Sequence, residues 1–233
     1  MCFISRVNQR LMTTTTNDHA RIVLVDDHPM VRERLAEVIN REPDLSICGE
    51  AEDRGGALEV IEREKPRLAI VDLTLKRSNG LDLIKDLRVM HPDLLILVLS
   101  MQDENLYAER VIRAGAHGYI TKQEATRKIL DAIRQVMAGK VFLSEEISAD
   151  ILSRMLGKSR GTMRSLDVLS DRELQVFGLV GEGFGTRQIA EQLGLDVKTV
   201  ETYRTRIKEK LELKDASELL RQAIAWRRDH PNE

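Results

Sequence analysis

Three carboxylates and one ammonium group carry the first chemical signal in this chain. Asp26 and Asp27 close one short apolar run, Asp72 closes another at Leu68–Val71, and Lys122 follows a third at Gly118–Thr121. Carboxylates gathered in one place repel one another unless a cation neutralises them. Hard oxygen donors favour Mg²⁺, which keeps several waters and can bridge to a phosphoryl oxygen. With such an ion in place, one carboxylate can attack phosphorus and form an acyl phosphate. Asp72 suits that role because it stands alone at the end of the central strand, whereas Asp26 and Asp27 form a pair suited to holding metal and its waters. Lys122 adds a point charge for the transferred phosphoryl group, and the Ser100 hydroxyl a hydrogen bond to it. One Asp at a strand end is ordinarily a turn or capping residue; four strand ends carrying complementary groups need another explanation. His28, next to the acidic pair, reads as an exposed residue at a helix start rather than a ligand, and His91 and His117 are read the same way.

These groups can meet only if the chain brings strand ends together. Strand candidates at Arg21–Asp26, Leu45–Glu50, Arg67–Asp72, Leu94–Ser100 and His117–Thr121 are short and rich in Val, Ile and Leu. Helical periodicity fills the gaps at Pro29–Asn40, Arg54–Glu64, Gly80–Met90, Glu104–Ala114 and Glu124–Ala138, punctuated by Pro43, Pro66, Pro92, Gly115 and Gly139. Five strands alternating with five helices predict an α/β domain with a doubly wound five-stranded parallel sheet. Its working crevice lies beyond the carboxyl ends of the strands, where Asp26, Asp27, Asp72, Ser100 and Lys122 fall. After Gly139 a helix at Glu145–Leu156 and a polar stretch at 157–161 read as a linker. From Leu166 onward only helical periodicity remains, predicting a second, all-α domain of four helices. The boundaries expected are a frayed tail at 1–19, the α/β domain at 20–140, the linker at 141–165 and the helical domain at 166–233. Met12 is an alternative translation start.

Composition narrows the classes. A 42% hydrophobic content among 233 residues supports packed cores and excludes wholesale disorder, and no apolar run is long enough to span a bilayer. With no secretory signal core and only Cys2 and Cys48, the expectation is a cytoplasmic protein without disulfides or a thiolate metal cluster. The net charge of -2 argues against a chain that coats nucleic acid through bulk positive charge, yet leaves room for one basic helix.

The motifs Val25-Asp26-Asp27-His28-Pro29-Met30-Val31, Asp72 with Gly80 eight residues on, Leu99-Ser100-Met101 and Gly118-Tyr119-Ile120-Thr121-Lys122 resemble the receiver domain of bacterial two-component response regulators, over about 120 residues. That resemblance implies a flavodoxin-like fold, phosphotransfer to Asp72 from a partner histidine kinase, and Mg²⁺ held by Asp26, Asp27, Asp72 and the backbone carbonyl of Thr74. It also implies a switch in which Ser100 moves toward the phosphoryl group and Tyr119 rotates inward. That would remodel the face built from Glu104–Ala114, His117–Thr121 and Glu124–Ala138. Tyr119 as no more than a partly buried amphipathic ring is the alternative. Two positions depart from the pattern. Lys76 replaces the usual proline four residues after the phosphoacceptor, predicting a looser, more positive loop. Gln123 replaces a proline after Lys122, and without proline a cis bond costs about 3 kcal/mol, so the bond is expected trans.

In the carboxy-terminal part, Thr186 to Val200 has helix-turn-helix grammar: Ala190 permits close crossing, Gly194 the tight turn, and Ile189, Leu193, Leu195 and Val200 the shared interior. With Leu169-Ser170-Asp171-Arg172-Glu173 upstream and Thr199-Val200-Glu201-Thr202-Tyr203 downstream, it is similar to the LuxR-type DNA-binding domain. Ser170 or Asp171 should cap the first helix and Thr186 the second. Val200, Tyr203, Arg204, Ile207 and Leu211 fall on one side. Lys198, Glu201, Thr202, Thr205, Arg206, Lys208 and Lys210 are the candidate DNA contacts: Thr202 and Thr205 toward base edges or phosphates, Glu201 toward a cytosine amino group, the basic residues mainly toward phosphates. Between Val197 and Lys214 six basic residues face three acidic ones, so positive charge is confined to this stretch. The final helix carries Leu219, Leu220 and Ala223, which the resemblance assigns in part to dimerisation.

Together these resemblances identify the chain as a regulator of the NarL/FixJ type, acting as a homodimer on double-stranded promoter DNA, not as an enzyme and with no membrane partner. RNA polymerase is a further candidate partner. An Asp-dependent phosphohydrolase uses similar strand-end carboxylates, but a haloacid-dehalogenase-like nucleophile is followed by a second Asp two residues on, where this chain has Thr74. The other alternative is a DNA-binding regulator controlled by protein partners without phosphorylation.

Overall fold

A computed structural model describes residues 19–76, 78–102, 104–155, 166 and 168–229. Its five main strands are β1 (Ala20–Val25), β2 (Leu45–Ala51), β3 (Leu68–Val71), β6 (Leu95–Ser100) and β7 (Gly118–Thr121), all parallel in the order β2-β1-β3-β6-β7. The two remaining strands, β4 (Thr74–Leu75) and β5 (Ser78–Asn79), form a small antiparallel hairpin that short apolar runs did not announce. Alternate side chains of each strand serve opposite faces. Ile22, Leu24, Leu68, Ile70, Leu97, Leu99 and Ile120 pack under α1 (Pro29–Ile39) and α5 (Lys122–Met137). Val23, Val25, Ala69, Val71, Ile96, Val98 and Tyr119 pack under α2 (Arg54–Glu64), α3 (Gly80–Met90) and α4 (Glu104–Ala114). The strand order reverses beside β1, between connections that run to opposite faces. This opens a crevice at the carboxyl ends of β1 and β3.

The linker is anchored at its start. Phe142 pairs with the free edge of β7, the Tyr119 amide donating to Phe142 O at 2.8 Å and the Phe142 amide to His117 O at 3.1 Å. Glu104 Oε1, at the start of α4, accepts from the Ser144 amide at 3.0 Å. Helix α6 (Glu145–Met155) follows, with Ile147 buried; the polar stretch at 157–161 lies outside the described residues, as does the tail through residue 18.

Four helices make the second domain: α7 (Asp171–Gly181), α8 (Thr186–Leu193), α9 (Val197–Lys210) and α10 (Ala216–Asp229). Ser170 caps α7 in a capping box with Glu173, whereas Gly185, not Thr186, is the cap residue of α8. Gly194 takes φ 63°, the left-handed turn between α8 and α9 that a Cβ would strain. The three residues expected to mediate dimerisation divide. Leu219 and Ala223, at 0% and 1% exposure, lie inside the domain, and the backbone of Ala223 comes so close to Gly181 of α7 that a Cβ there would stand 2.7 Å from Ala223 O. They offer no surface to a second chain, because helical periodicity marks an apolar face without saying what covers it. Leu220 is exposed, and so is Ile224 one turn on.

Candidate functional site

The crevice gathers the strand-end residues. Asp26 and Asp72 are each 3% exposed and Ser100 is fully buried. Lys122, the first residue of α5, is set by Thr121, whose hydroxyl accepts from the Glu124 amide and caps the helix. Its ammonium lies 2.7 Å from Asp72 Oδ2 and 2.6 Å from Asp26 Oδ2. The other oxygen of Asp72 accepts from the Thr74 amide at 3.2 Å. Burial pushes the Asp72 carboxyl above its ordinary range; Lys122 pulls it down and Asp26 pushes it up again. Burial pulls the Lys122 ammonium down, but Asp72 and Asp26 outweigh it and hold it above its ordinary value. Gly80 lets the β5–α3 junction pass beneath Asp72, since a Cβ there would stand 2.0 Å from Asp72 O.

Asp27 stands beside Asp26 on the solvent side. Asp26 Oδ2 and Asp27 Oδ1 are buried oxygens that accept no aligned hydrogen bond. Asp26, Asp27, His28 and Asp72 each present a ligand atom within 4.8 Å of the others. Closely spaced carboxylate oxygens, three acids against one buried lysine, fit a hard divalent cation. Lys76 does not bring charge into this set: its ammonium pairs with Glu52 Oε1 at 2.9 Å and its amide donates to Glu52 O at 3.3 Å, tying down the loop that a missing proline was expected to loosen. No peptide bond is cis among the described residues, and the Lys122–Gln123 bond is trans.

On the other flank, the Gln102 amide donates to Ser100 Oγ at 3.3 Å and its side-chain Nε2 to Thr74 Oγ1 at 3.4 Å. The Tyr119 hydroxyl donates to Gln102 O at 2.7 Å, with the ring 1% exposed. Tyr119 was expected to rotate inward on switching. In this structure it already lies inside, because Val98 and the α4 face leave it an apolar slot and Gln102 O satisfies its one polar atom.

α4 also joins the two domains. The Arg110 guanidinium donates to Leu166 O and Leu169 O, both at 2.8 Å, and to Asp171 Oδ1 at 3.2 Å. Nothing in the sequence marked Arg110, an ordinary arginine on an amphipathic helix.

In the second domain Val200 and Ile207 are fully buried, and Tyr203, Arg204 and Leu211 are partly buried. Lys198, Glu201, Thr202, Thr205 and Arg206 are exposed along α9, and Lys208 is half-buried. Thr202 donates its hydroxyl to Lys198 O at 2.9 Å. Lys210 is committed elsewhere, its ammonium 2.6 Å from the buried carboxylate of Glu173.

Residues 22–134 match the family described as response regulator receiver domain, and residues 167–223 the family of bacterial regulatory proteins, luxR family. The oxygen regulatory protein NreC of Staphylococcus haemolyticus (strain JCSC1435) is 32% identical over 209 residues, covering 88% of this chain and 96% of that one. NreC of Staphylococcus carnosus (strain TM300) is 31% identical over the same shares. Among solved structures, a LuxR-family two-component response regulator from Aurantimonas sp. SI85-9A1 is 33% identical with a TM-score of 0.55, covering 59% of this chain and 98% of that one. RcsB from Salmonella enterica serovar Typhimurium, solved on promoter P1flhDC with the phosphomimetic BeF3-, shares the fold at a TM-score of 0.62 and 24% identity, covering 89% and 99%.

Proposed function

The chain belongs to the two-component response regulators that join a receiver domain to a LuxR-type DNA-binding domain, and on that premise we propose that phosphoryl transfer to Asp72 governs how α9 engages promoter DNA. The observation that carries this reading is the setting of Asp72: a buried carboxylate at the end of β3, one oxygen on the Lys122 ammonium and the other on the Thr74 amide. An Asp72 oxygen attacks the phosphorus of a phosphohistidine on the partner kinase. The new P–O bond forms as the P–N bond breaks, and the departing imidazole nitrogen takes up a proton. Asp26, Asp27, Asp72 and the carbonyl of Thr74 would hold Mg²⁺, which would offset the charge on the phosphoryl oxygens. Lys122 and the Ser100 hydroxyl bind those oxygens directly.

The added charge of roughly -1.5 to -2 draws Ser100 and Lys122 toward the phosphoryl group. Gln102, bonded to Ser100, Thr74 and Tyr119 at once, carries the movement into the start of α4. α4 holds the second domain through Arg110, so phosphorylation resets that contact. Released domains pair as a homodimer, with Leu220 and Ile224 as the accessible apolar residues of α10. α9 then enters the major groove, Glu201, Thr202 and Thr205 toward base edges, Lys198, Arg206 and Lys208 toward phosphates. Lys210 joins them only if it leaves Glu173. We take 20–140 and 166–233 as the two working units. No described helix is long and apolar enough to cross a membrane, and a promoter-binding regulator works in the cytoplasm, with RNA polymerase as a further candidate partner. The output is DNA binding; the receiver's chemistry is limited to its own phosphorylation.

Acetyl phosphate with Mg²⁺ tests the reading. Wild type should take up one phosphoryl group and bind promoter DNA more tightly at a fixed, stated salt concentration, and Asp72→Asn should do neither. Absence of label on wild type would favour the regulator controlled by protein partners alone.

A further inference from the structure

His28 is placed where a ligand would be. It precedes Pro29, the first residue of α1, and a residue before proline is held extended; here it takes φ -95°, ψ 107° as the helix cap residue, yet its side chain makes no capping hydrogen bond. The ring instead turns back over the acidic pair, with Nδ1 2.7 Å from Asp27 Oδ1 and 3.2 Å from Asp26 Oδ1. The His28 amide donates to Asp26 Oδ1 at 2.9 Å, and Arg32 Nη1 donates to Asp26 O at 2.6 Å, so the backbone beneath the ring is fixed from two sides. The side chain is 60% exposed and closes the solvent side of the four-residue set whose donor atoms all lie within 4.8 Å of one another. Asp27 Oδ1, which the ring faces, accepts no aligned hydrogen bond. A bound cation would therefore meet an imidazole nitrogen as well as carboxylate oxygens.

We propose that His28 is a nitrogen ligand of the receiver's cation site and makes it accept first-row transition ions more tightly than an all-oxygen site would, least for Mn²⁺ and most for Ni²⁺. Mg²⁺ gains little from a nitrogen donor, since it prefers hard oxygen ligands in near-ideal octahedral geometry. Imidazole suits the later first-row ions, whose affinity for a mixed nitrogen and oxygen site rises from Mn²⁺ to Ni²⁺. The proposal rests on the reading of Asp26, Asp27 and Asp72 as a cation site, and adds to it which ions the site selects.

The test uses the full chain, with Mn²⁺, Ni²⁺ and Mg²⁺ each titrated alone by calorimetry. Pulsed electron paramagnetic resonance of the Mn²⁺-loaded protein reads the ligand atoms directly. Wild type should show coupling of Mn²⁺ to a directly bound nitrogen, absent in His28→Ala. Ni²⁺ affinity should fall about tenfold in His28→Ala while Mg²⁺ affinity changes less than twofold. Mn²⁺ bound without nitrogen coupling in wild type, or equal losses for Ni²⁺ and Mg²⁺, overturns the role of His28 and leaves the carboxylate site standing. Failure of wild type to bind any of the three ions overturns both. Asp27→Asn, which should weaken all three together, separates the two readings further.

Discussion

Arg110 on α4 lies 3.2 Å from Asp171 Oδ1 at the start of α7, and the other oxygen of that carboxylate is 2.7 Å from Lys85 Nζ on α3. One acid thus neutralises cations from two receiver helices. The same guanidinium donates to the carbonyls of Leu166 and Leu169, main-chain acceptors just before α7, the first of which also accepts from the Leu169 amide. Arg110 and Asp171 are only 17% and 21% exposed, so the contact is worth more than a surface ion pair. It leaves the outer face of α9 open, with Lys198, Glu201, Thr202, Thr205 and Arg206 exposed. The contact therefore fixes the relative placement of the domains without covering that face of α9.

Arg110→Ala should release the second domain. Removing a guanidinium that makes three hydrogen bonds, one of them to a carboxylate, costs about 2 kcal/mol, which shifts the docked population about thirtyfold. Small-angle scattering of the unphosphorylated chain should show a larger radius of gyration. The intrinsic affinity of one chain for a single half-site should stay within about twofold of wild type, because α9 is already open. Arg110→Lys should not restore docking, since an ammonium lacks the planar fork that reaches two carbonyls and a carboxylate together. An unchanged radius in Arg110→Ala would show that Arg110 does not hold the domains together.

Gln102 should control how long the phosphoryl group survives. Its side-chain amide rests on Thr74 Oγ1, and its main chain is tied to Ser100 and Tyr119. The two side chains flank the approach a water would take to phosphorylated Asp72, where a carboxamide can orient the attacking molecule. Gln102→Ala should slow the loss of label several-fold after the phosphodonor is removed, while the initial uptake of label stays near wild type. Identical decay curves would remove Gln102 from this role.

The acidic crevice was legible because two regularities coincide: strand ends of a doubly wound sheet converge, and the residues found there have complementary charge. The turn at Gly194 was legible for a related reason, since glycine after a helical run marks a left-handed residue. What stayed hidden depends on contacts between distant parts of the chain. Arg110 and Asp171 are separated by 61 positions, and each alone reads as an ordinary charged residue. Leu219 and Ala223 carry a dimerisation role only through the resemblance, and both are buried inside the domain, since periodicity cannot distinguish a face covered by a neighbouring helix from one left for a partner. His28 is the exposed residue at a helix start that the sequence predicts, but its proximity to Asp27 depends on a ring orientation that residue type alone does not specify. The β4–β5 hairpin is two residues on each side, too short for any alternation to register. Lys210, counted among the basic residues facing DNA, is turned to Glu173 by a partner 37 positions away.

That last pair makes the stability of the second domain depend on pH. Glu173 is buried, and burial alone pushes its carboxyl up. The Lys210 ammonium and the amide and hydroxyl of Ser170 outweigh that cost and hold it below its ordinary value. A carboxyl with a lower pKa in the folded chain than in the unfolded one contributes stability above the unfolded pKa and loses it as pH falls through the folded value. The contribution should be complete above about pH 5 and decline below the ordinary glutamate value of about 4.3. Glu173→Gln keeps the size and part of the capping geometry but removes the charge, leaving Lys210 without its partner. At pH 7 it should destabilise the domain by about 1–2 kcal/mol. The gap between variant and wild type should narrow as pH falls below about 4.3. Urea unfolding of the full chain, followed through Trp226 fluorescence across pH 3 to 7 (about the titration range of a carboxylate), measures both. A gap that stays constant with pH would show that the cost comes from packing around Glu173 rather than from its charge.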